Sequence, residues 1–339
     1  MLAAGRRFSL ASRRHIGILG GAGSAPARRI AMTDAYQAII DRCAGLPPLR
    51  TAVVHPVSHT VFDAVEEARA AGLIEPVLVG PAARIAAALT EAGQAPDTYE
   101  IVDTEHSHAA AARAAQMAAT GQVGAIMKGS LHSDELLGAV IHPQCGLRTE
   151  RRISHAFLML TEDYPRPFII TDAAVNIAPD LMVKADILHN AIVLWRVLWG
   201  PARPKAAILA AVETVNPKMQ ATLDAAALCK MADRGQIEDA DLDGPLAFDN
   251  AISPAAAREK GIVSPVAGQA DILLVPDIES GNMLAKQLVF MGGADAAGIV
   301  LGARVPVVLT SRADSVRARM LSTALAVLMA EARRLGQVK

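Results

Sequence analysis

The chain has 339 residues, enough for about two domains of ordinary size rather than one core. Apolar residues make up 52% and aromatic residues 3%, with a formal net charge of -1. A large core is therefore feasible, while base-stacking platforms and a global field for DNA, RNA or an anionic lipid surface are lacking.

In chain order, the first 33 residues hold six Arg and no acid before Asp34. Such a composition can mark an organellar transit peptide, but a disordered basic extension, or a start codon placed too early, is the reading adopted for residues 1–33. A Gly-x-Gly-x-x-Gly frame begun at Gly21 meets Pro26 at its last position, so it is not a nicotinamide loop. No uncharged apolar run approaches the roughly 18 residues that span a bilayer, and a soluble, cytoplasmic protein with no membrane partner is expected. Cys43, Cys145 and Cys229 are odd in number and far apart, which fits a reducing compartment; no pair has zinc-ligand spacing.

From residue 50 onward, short aliphatic runs predict strands at 51–54, 76–80, 123–127, 168–171, 206–212, 272–275, 299–301 and 306–309. Ala-rich and amphipathic stretches between them predict helices, among them 107–119 and 181–198, with a final helix over 314–335. This alternation predicts an α/β, doubly wound sheet. A Gly- and Arg-rich turn at 148–152 marks the expected boundary: 34–150 plus 303–339 as the first domain and 151–302 as the second. The final helix is expected to pack on the N-terminal sheet.

Several polar clusters sit at strand ends, where open α/β sheets bind ligands. Lys128-Gly129-Ser130 follows one strand; Lys128 would meet a phosphate as a point charge and Gly129 would admit backbone close to a ligand, with a tight turn and a solvated lysine as the equal alternative. The P-loop pattern is absent. His106 and His108 follow Asp103 and Glu105 at a helix head, where capping and surface roles are expected in the absence of a third metal ligand. Arg148, Arg151 and Arg152 can clamp phosphate oxygens, against the default of a solvated loop partly neutralised by Glu150. Trp195 and Trp199, four apart, read as a packing face. The richest segment is 270–315, where one apolar run ends in Asp277, Glu279, Gly281 and Asn282 and the next in Thr310, Ser311 and Arg312. Ser311 with Asp314 has the form of a capping box. A cap leaves Arg312 unexplained, because a cation in a helix's first turn opposes the dipole, and function is placed ahead of capping here. Neither a Gly-x-Ser-x-Gly elbow nor a His-Glu-x-x-His pair occurs.

Taken together, Met127-Lys128-Gly129, Gly146-Leu147-Arg148-Thr149, Ser154-His155, Thr171 to Asn176, Gly244 to Ala251, Pro276-Asp277 through Gly281-Asn282, and Ser311-Arg312 resemble the phosphate acetyltransferase and phosphate butyryltransferase family. The resemblance implies two α/β/α domains with a cleft between them, an isocitrate/isopropylmalate dehydrogenase-like architecture, and a homodimer. It implies the reaction of a short-chain acyl-CoA with inorganic phosphate, coenzyme A being a substrate and no cofactor or metal being needed. Ser311 and Arg312 carry over as active-site residues, Lys128, Gly129, Arg148 or Arg152 as phosphate contacts, and Asp277, Glu279 and Asn282 as the wall of the cleft facing Ser311 and Arg312. Relatives of the acetyltransferase branch place an Asp seven residues beyond that Ser, where this chain has Ala318, and an Arg where it has Gly138. Asp314 is then the nearest candidate for the base, with Glu279 second. Two other readings stand beside this one: a metal- and NAD(P)-dependent decarboxylating dehydrogenase of related architecture, and a non-catalytic CoA-binding protein. Acyl-chain length stays open.

Overall fold

The computed structural model describes residues 32–309 and 314–338. In chain order the elements are α1 (Met32–Cys43), β1 (Leu49–Val54), α2 (His59–Ala70), β2 (Ile74–Gly80), α3 (Ala82–Glu91), β3 (Glu100–Asp103), α4 (Ser107–Ala119), β4 (Ala125–Lys128), α5 (Ser133–Val140), β5 (Ser154–Leu160) and β6 (Phe168–Thr171). They continue with α6 (Leu181–Trp199), β7 (Lys205–Leu209), α7 (Gln220–Asp233), β8 (Asp241–Leu246), α8 (Phe248–Ile252), α9 (Pro254–Glu259), β9 (Ile272–Leu274), α10 (Ile278–Phe290), β10 (Asp295–Leu301), β11 (Val307–Val308) and α11 (Val316–Arg334).

Among the described residues, eleven strands form one sheet in the order β3-β2-β1-β4-β11-β10-β5-β6-β9-β7-β8. The flanks are parallel, as the alternation of strands and helices requires. The centre departs from the expected doubly wound sheet: β10 runs antiparallel to both β11 and β5, and β5 antiparallel to β6. Three reversals turn the second flank over, so β6, β9, β7 and β8 run opposite to β1, β2, β3, β4 and β11. Hairpin-like returns need no crossover helix, and the strand pattern of the sequence carries no record of them.

Side chains alternate between the two faces of each strand. One face carries a single apolar core along the whole sheet, from Phe62, Leu78 and Leu89 through Leu158 and Ile299 to Ile187, Leu194 and Leu228. The other face carries two separate cores. The first holds the alanines of α4 with Ile126, Leu136 and Val300; the second holds Met159, Phe168, Leu273 and Ala285. Helix α4 reads SHAAAARAAQMAA; alanine is the best helix former, and its small buried faces at Ala110, Ala111, Ala114 and Ala115 sit close on the strands. Helices α6 and α7 are tied by Lys184 and Asp224, both buried, whose Nζ and Oδ2 lie 2.6 Å apart. Trp195 and Trp199 stack at 4.1 Å between ring centroids, the packing role expected of them. The final helix, α11, packs on β10, β11 and β4 and against α1, α2 and α6. No helix of the described residues is long and apolar enough to cross a membrane.

Candidate active site

The chain leaves β1 for β2 and β3 on one side and comes back to β4 on the other. Connections therefore diverge between β1 and β4, the point where an open sheet forms a ligand crevice beyond its carboxyl ends. Lys128 closes β4 there, half-buried, with its Nζ donating to the Leu131 carbonyl at 3.2 Å. His55, at φ 53, turns the chain off β1 in the left-handed region. The Gly129 amide donates to Val54 O and the Ser130 amide to His55 O, both at 3.0 Å. A Cβ on Gly129 would lie 2.4 Å from the Val54 carbonyl oxygen. The close approach expected at Gly129 is thus to the neighbouring chain turn, not to a ligand. Gly129→Ala is expected to force the two turns apart, lowering the thermal midpoint by several degrees, on the order of 2 °C for each kcal/mol lost; an unchanged midpoint would remove this role.

β11 lies parallel to β4 with Val308 beside Met127, so the chain leaves the sheet at Leu309 next to Lys128. Ser311 and Arg312 lie outside the described residues. Asp314 is described and half-buried. A capping-box pair of Ser311 with Asp314 would rest on Ser311, which lies outside the described residues. Helix α11 begins at Val316, and its cap is Ser315, whose Oγ accepts from the Ala318 amide at 3.1 Å. Asp314 precedes that cap.

A second group gathers on the turn after β6. Asp172, 2% exposed, accepts from the amides of Ala174 and Val175 at 3.0 Å, from the Asn176 amide at 3.1 Å and from Asn176 Nδ2 at 2.6 Å. Burial pushes its carboxyl pKa up against the pull of these hydrogen bonds. Asn176 Nδ2 also reaches the Ile153 carbonyl at 2.9 Å, and Arg152 Nε lies 3.5 Å from Asn176 Oδ1. The Arg152 amide donates to Asp186 at 3.0 Å, and Arg148 pairs its backbone with Ala303. From the other side, Asn282 Nδ2 donates to the Ala173 carbonyl at 3.1 Å and the Ile278 amide to Ile177 O. The structure therefore brings Arg152, Asp277 and Asn282 around one turn, with Arg148 beside Ala303 just past β10 and with Lys128 and Leu309 at another strand end. Asp277 caps α10, accepting from the Ser280 amide at 2.8 Å, and Glu279 is exposed.

Asp277, Glu279 and Asn282 follow β9, and Ser311 and Arg312, expected to face them across a cleft, lie outside the described residues. Because β9 runs opposite to β11, their carboxyl ends lie at opposite edges of the sheet. What separates the two groups is the central stretch of sheet between the two cores of the divided face. Asp172, Asn176 and Ser315 are the residues whose roles sequence reasoning missed; the run Asp172 to Asn176 was visible only as part of a motif.

Other candidates fall into structural roles. His106 caps α4, accepting from the Ala109 amide at 3.1 Å, and exposed His108 pairs with Glu135 at 2.8 Å. Among the described residues no three His, Cys, Asp or Glu side chains gather as a metal site. Burial pushes the thiols of Cys43 up to about 11 and Cys229 up to about 12, and raises Cys145 as well. None is a ready thiolate nucleophile. Treatment with iodoacetamide at neutral pH is expected to leave turnover unchanged; rapid inactivation blocked by substrate would contradict this.

Strand-end turns that present lysine and arginine on an α/β sheet, without a metal cluster or a reactive thiol among the described residues, define a class of protein suited to small anionic substrates. Comparison with known proteins narrows the class. The family model described as "Phosphate acetyl/butaryl transferase" matches residues 105–327. A phosphate acetyltransferase of Rhizobium meliloti is 54% identical over 308 residues, 91% of this chain and 97% of that one. A phosphate butyryltransferase of Clostridium acetobutylicum is 39% identical over 299 residues, 88% of this chain and 99% of that one. The crystal structure of a branched-chain phosphotransacylase from Enterococcus faecalis superposes with a TM-score of 0.73 at 29% identity, covering 83% of this chain and 99% of that one. The chain belongs to the phosphate acetyltransferase and phosphate butyryltransferase family.

Proposed function

We propose that this protein is a phosphate acyltransferase that converts a short-chain acyl-CoA, acetyl-CoA or butyryl-CoA, and inorganic phosphate to an acyl phosphate and coenzyme A. The observation that carries the reading is the family match across most of the chain; Lys128 at the end of β4 and the arginines of the 148–152 turn supply cations that support it.

In the forward direction a phosphate oxygen attacks the thioester carbonyl carbon and the CoA thiolate departs. Cations must hold the phosphate dianion against that carbon, and fixed orientation supplies much of the rate. Arg312 takes this part with Arg152 or Arg148, which would reach the phosphate from the opposite wall of the cleft, and with Lys128, one strand over from Leu309. The oxyanion that develops needs fixed donors; Ser311 is the candidate. In reverse a carboxylate takes the thiol proton. Asp314 stands ahead of Glu279 for this, because Asp314 follows Ser311 and Arg312 closely in the sequence whereas Glu279 begins at the other sheet edge. Asp277 and Asn282 are engaged in shaping their own turn and belong to the site as its second wall.

The two-domain arrangement is part of the same reading: 34–150 plus 303–339 and 151–302, each an α/β/α unit, in the dehydrogenase-like manner. The divided face of the sheet and the antiparallel strands at its centre support it. A homodimer is included too, supported by the exposed apolar side chains Met283 and Phe290 of α10 and Met291 just after it; light scattering at the mass of one chain would exclude it. A cytoplasmic location belongs to the reading as well.

The decisive experiment is an assay of CoA release from acetyl-, propionyl- and butyryl-CoA, with and without phosphate and without added metal. Phosphate-dependent release is expected. Failure with every acyl-CoA would sink the proposal.

A further inference from the structure

The two cores of the divided face part over the central strands, and three side-chain positions on that floor fit together. In β5, Ala156, Leu158 and Leu160 belong to the continuous core while Met159 belongs to the second core of the divided face, so His155 and Phe157 point to the divided face with Met159. Gly298 of β10 pairs with Phe157, and Val300 pairs with both His155 and Val307. Carrying that last pairing two residues on places Leu309 level with Gly298. Leu309 and Phe157 are both half-buried, and they stand on either side of a glycine, roughly 10 Å apart for strands spaced about 4.8 Å. Leu309 packs on the first core and Phe157 on the second.

The rings of His155 and Phe157 meet edge to face, with centroids 4.3 Å apart and planes at 72°. Both lean over Gly298: a Cβ there would lie 2.8 Å from His155 Nε2 and 3.2 Å from Phe157 Cε1. His155 is 1% exposed, and its Nδ1 has no hydrogen-bond partner. Burial lowers its pKa to about 3, so the ring is neutral and carries one N–H. A buried polar nitrogen left unpaired disfavours the fold, and leucine would fill the place without that cost. The floor is thus aromatic and apolar, with half-buried Phe157 as its accessible member, beside the strand end that continues in sequence to Ser311 and Arg312. An acyl chain has the matching apolar form.

We propose that Phe157, braced over Gly298 by the buried His155 ring, forms the acyl-binding floor and sets which acyl-CoA is accepted, Phe157 lying against the acyl chain. The proposal rests on the phosphate acyltransferase reading. Phe157 is then the chain-length gauge, and Gly298 is glycine because any side chain would drive both rings into the space the acyl group takes.

The test compares kcat/KM for acetyl-, butyryl- and hexanoyl-CoA at saturating phosphate in the wild type and variants, with thermal midpoints taken in parallel. One methylene in an apolar pocket is worth about tenfold or more, so Phe157→Ala is expected to raise the hexanoyl-to-acetyl ratio about tenfold, and Phe157→Leu to raise it less. Gly298→Ala is expected to lower it. His155→Leu, which removes the ring that braces Phe157, is expected to shift the ratio in the same direction as Phe157→Leu, with an unchanged or higher midpoint. Ratios within twofold of wild type in folded Phe157→Ala, Phe157→Leu and His155→Leu would overturn the proposal. A wild type inactive with every acyl-CoA would overturn the acyltransferase reading itself, so the two failures are distinguishable.

Discussion

Asp172→Ala is expected to destabilise the protein by about 4 kcal/mol, since each buried donor left without a partner costs about 1–3 kcal/mol and water recovers part of that. The carboxylate collects four N–H groups from Ala174, Val175 and Asn176 while only 2% exposed. For a chain of this length the thermal midpoint should fall by on the order of 10 °C. Asp172→Asn keeps one acceptor oxygen and should fall between. Because the same turn touches Arg152 through Asn176 and Asn282 through Ala173, activity at low temperature should drop further than the folded fraction does. Loss of activity strictly in proportion to unfolding would limit Asp172 to stability, and a midpoint within 2 °C of wild type would remove it from both roles.

Arg312→Ala should lower kcat/KM for the acyltransferase reaction by about 100- to 1000-fold, the range seen when one fixed charge-stabilising donor is removed, with the midpoint unchanged. A guanidinium can hold two phosphate oxygens at once, so Arg312→Lys should restore little. Arg152→Ala and Arg148→Ala identify the partner. Arg152 is the stronger expectation, because its backbone is fixed by Asp186 and its Nε sits against Asn176. Its loss should raise the KM for phosphate more than that for acyl-CoA. Normal turnover by Arg312→Ala would exclude Arg312 from the mechanism and leave CoA binding without catalysis as the better reading.

Much of the fold was legible because local chemistry decided it. The helix expected over 107–119 forms over Ser107–Ala119 and the strand expected over 168–171 over Phe168–Thr171, one an alanine-rich run and the other a β-branched one, where propensity and burial agree. Three strands escaped, each for a reason. β3, EIVD, lies at a sheet edge with both ends exposed. β5, SHAFLML, opens on two polar residues that read as loop. β8, DLDGPL, carries glycine and proline, tolerated only because it is the other edge strand.

The sequence by itself determined the family, the strand-end positions of Lys128 and Asp277, and the unreactive surroundings of the cysteines, because motifs, turns and apolar runs are local in the chain. Only the tertiary structure decided that β9 and β11 run in opposite directions, that Ser315 caps the last helix, and that His155 and Phe157 lean over Gly298 from a neighbouring strand. Strand direction and cross-strand contact depend on partners far away in the chain, and where a helix starts depends on what it packs against, so no window of sequence contains that information.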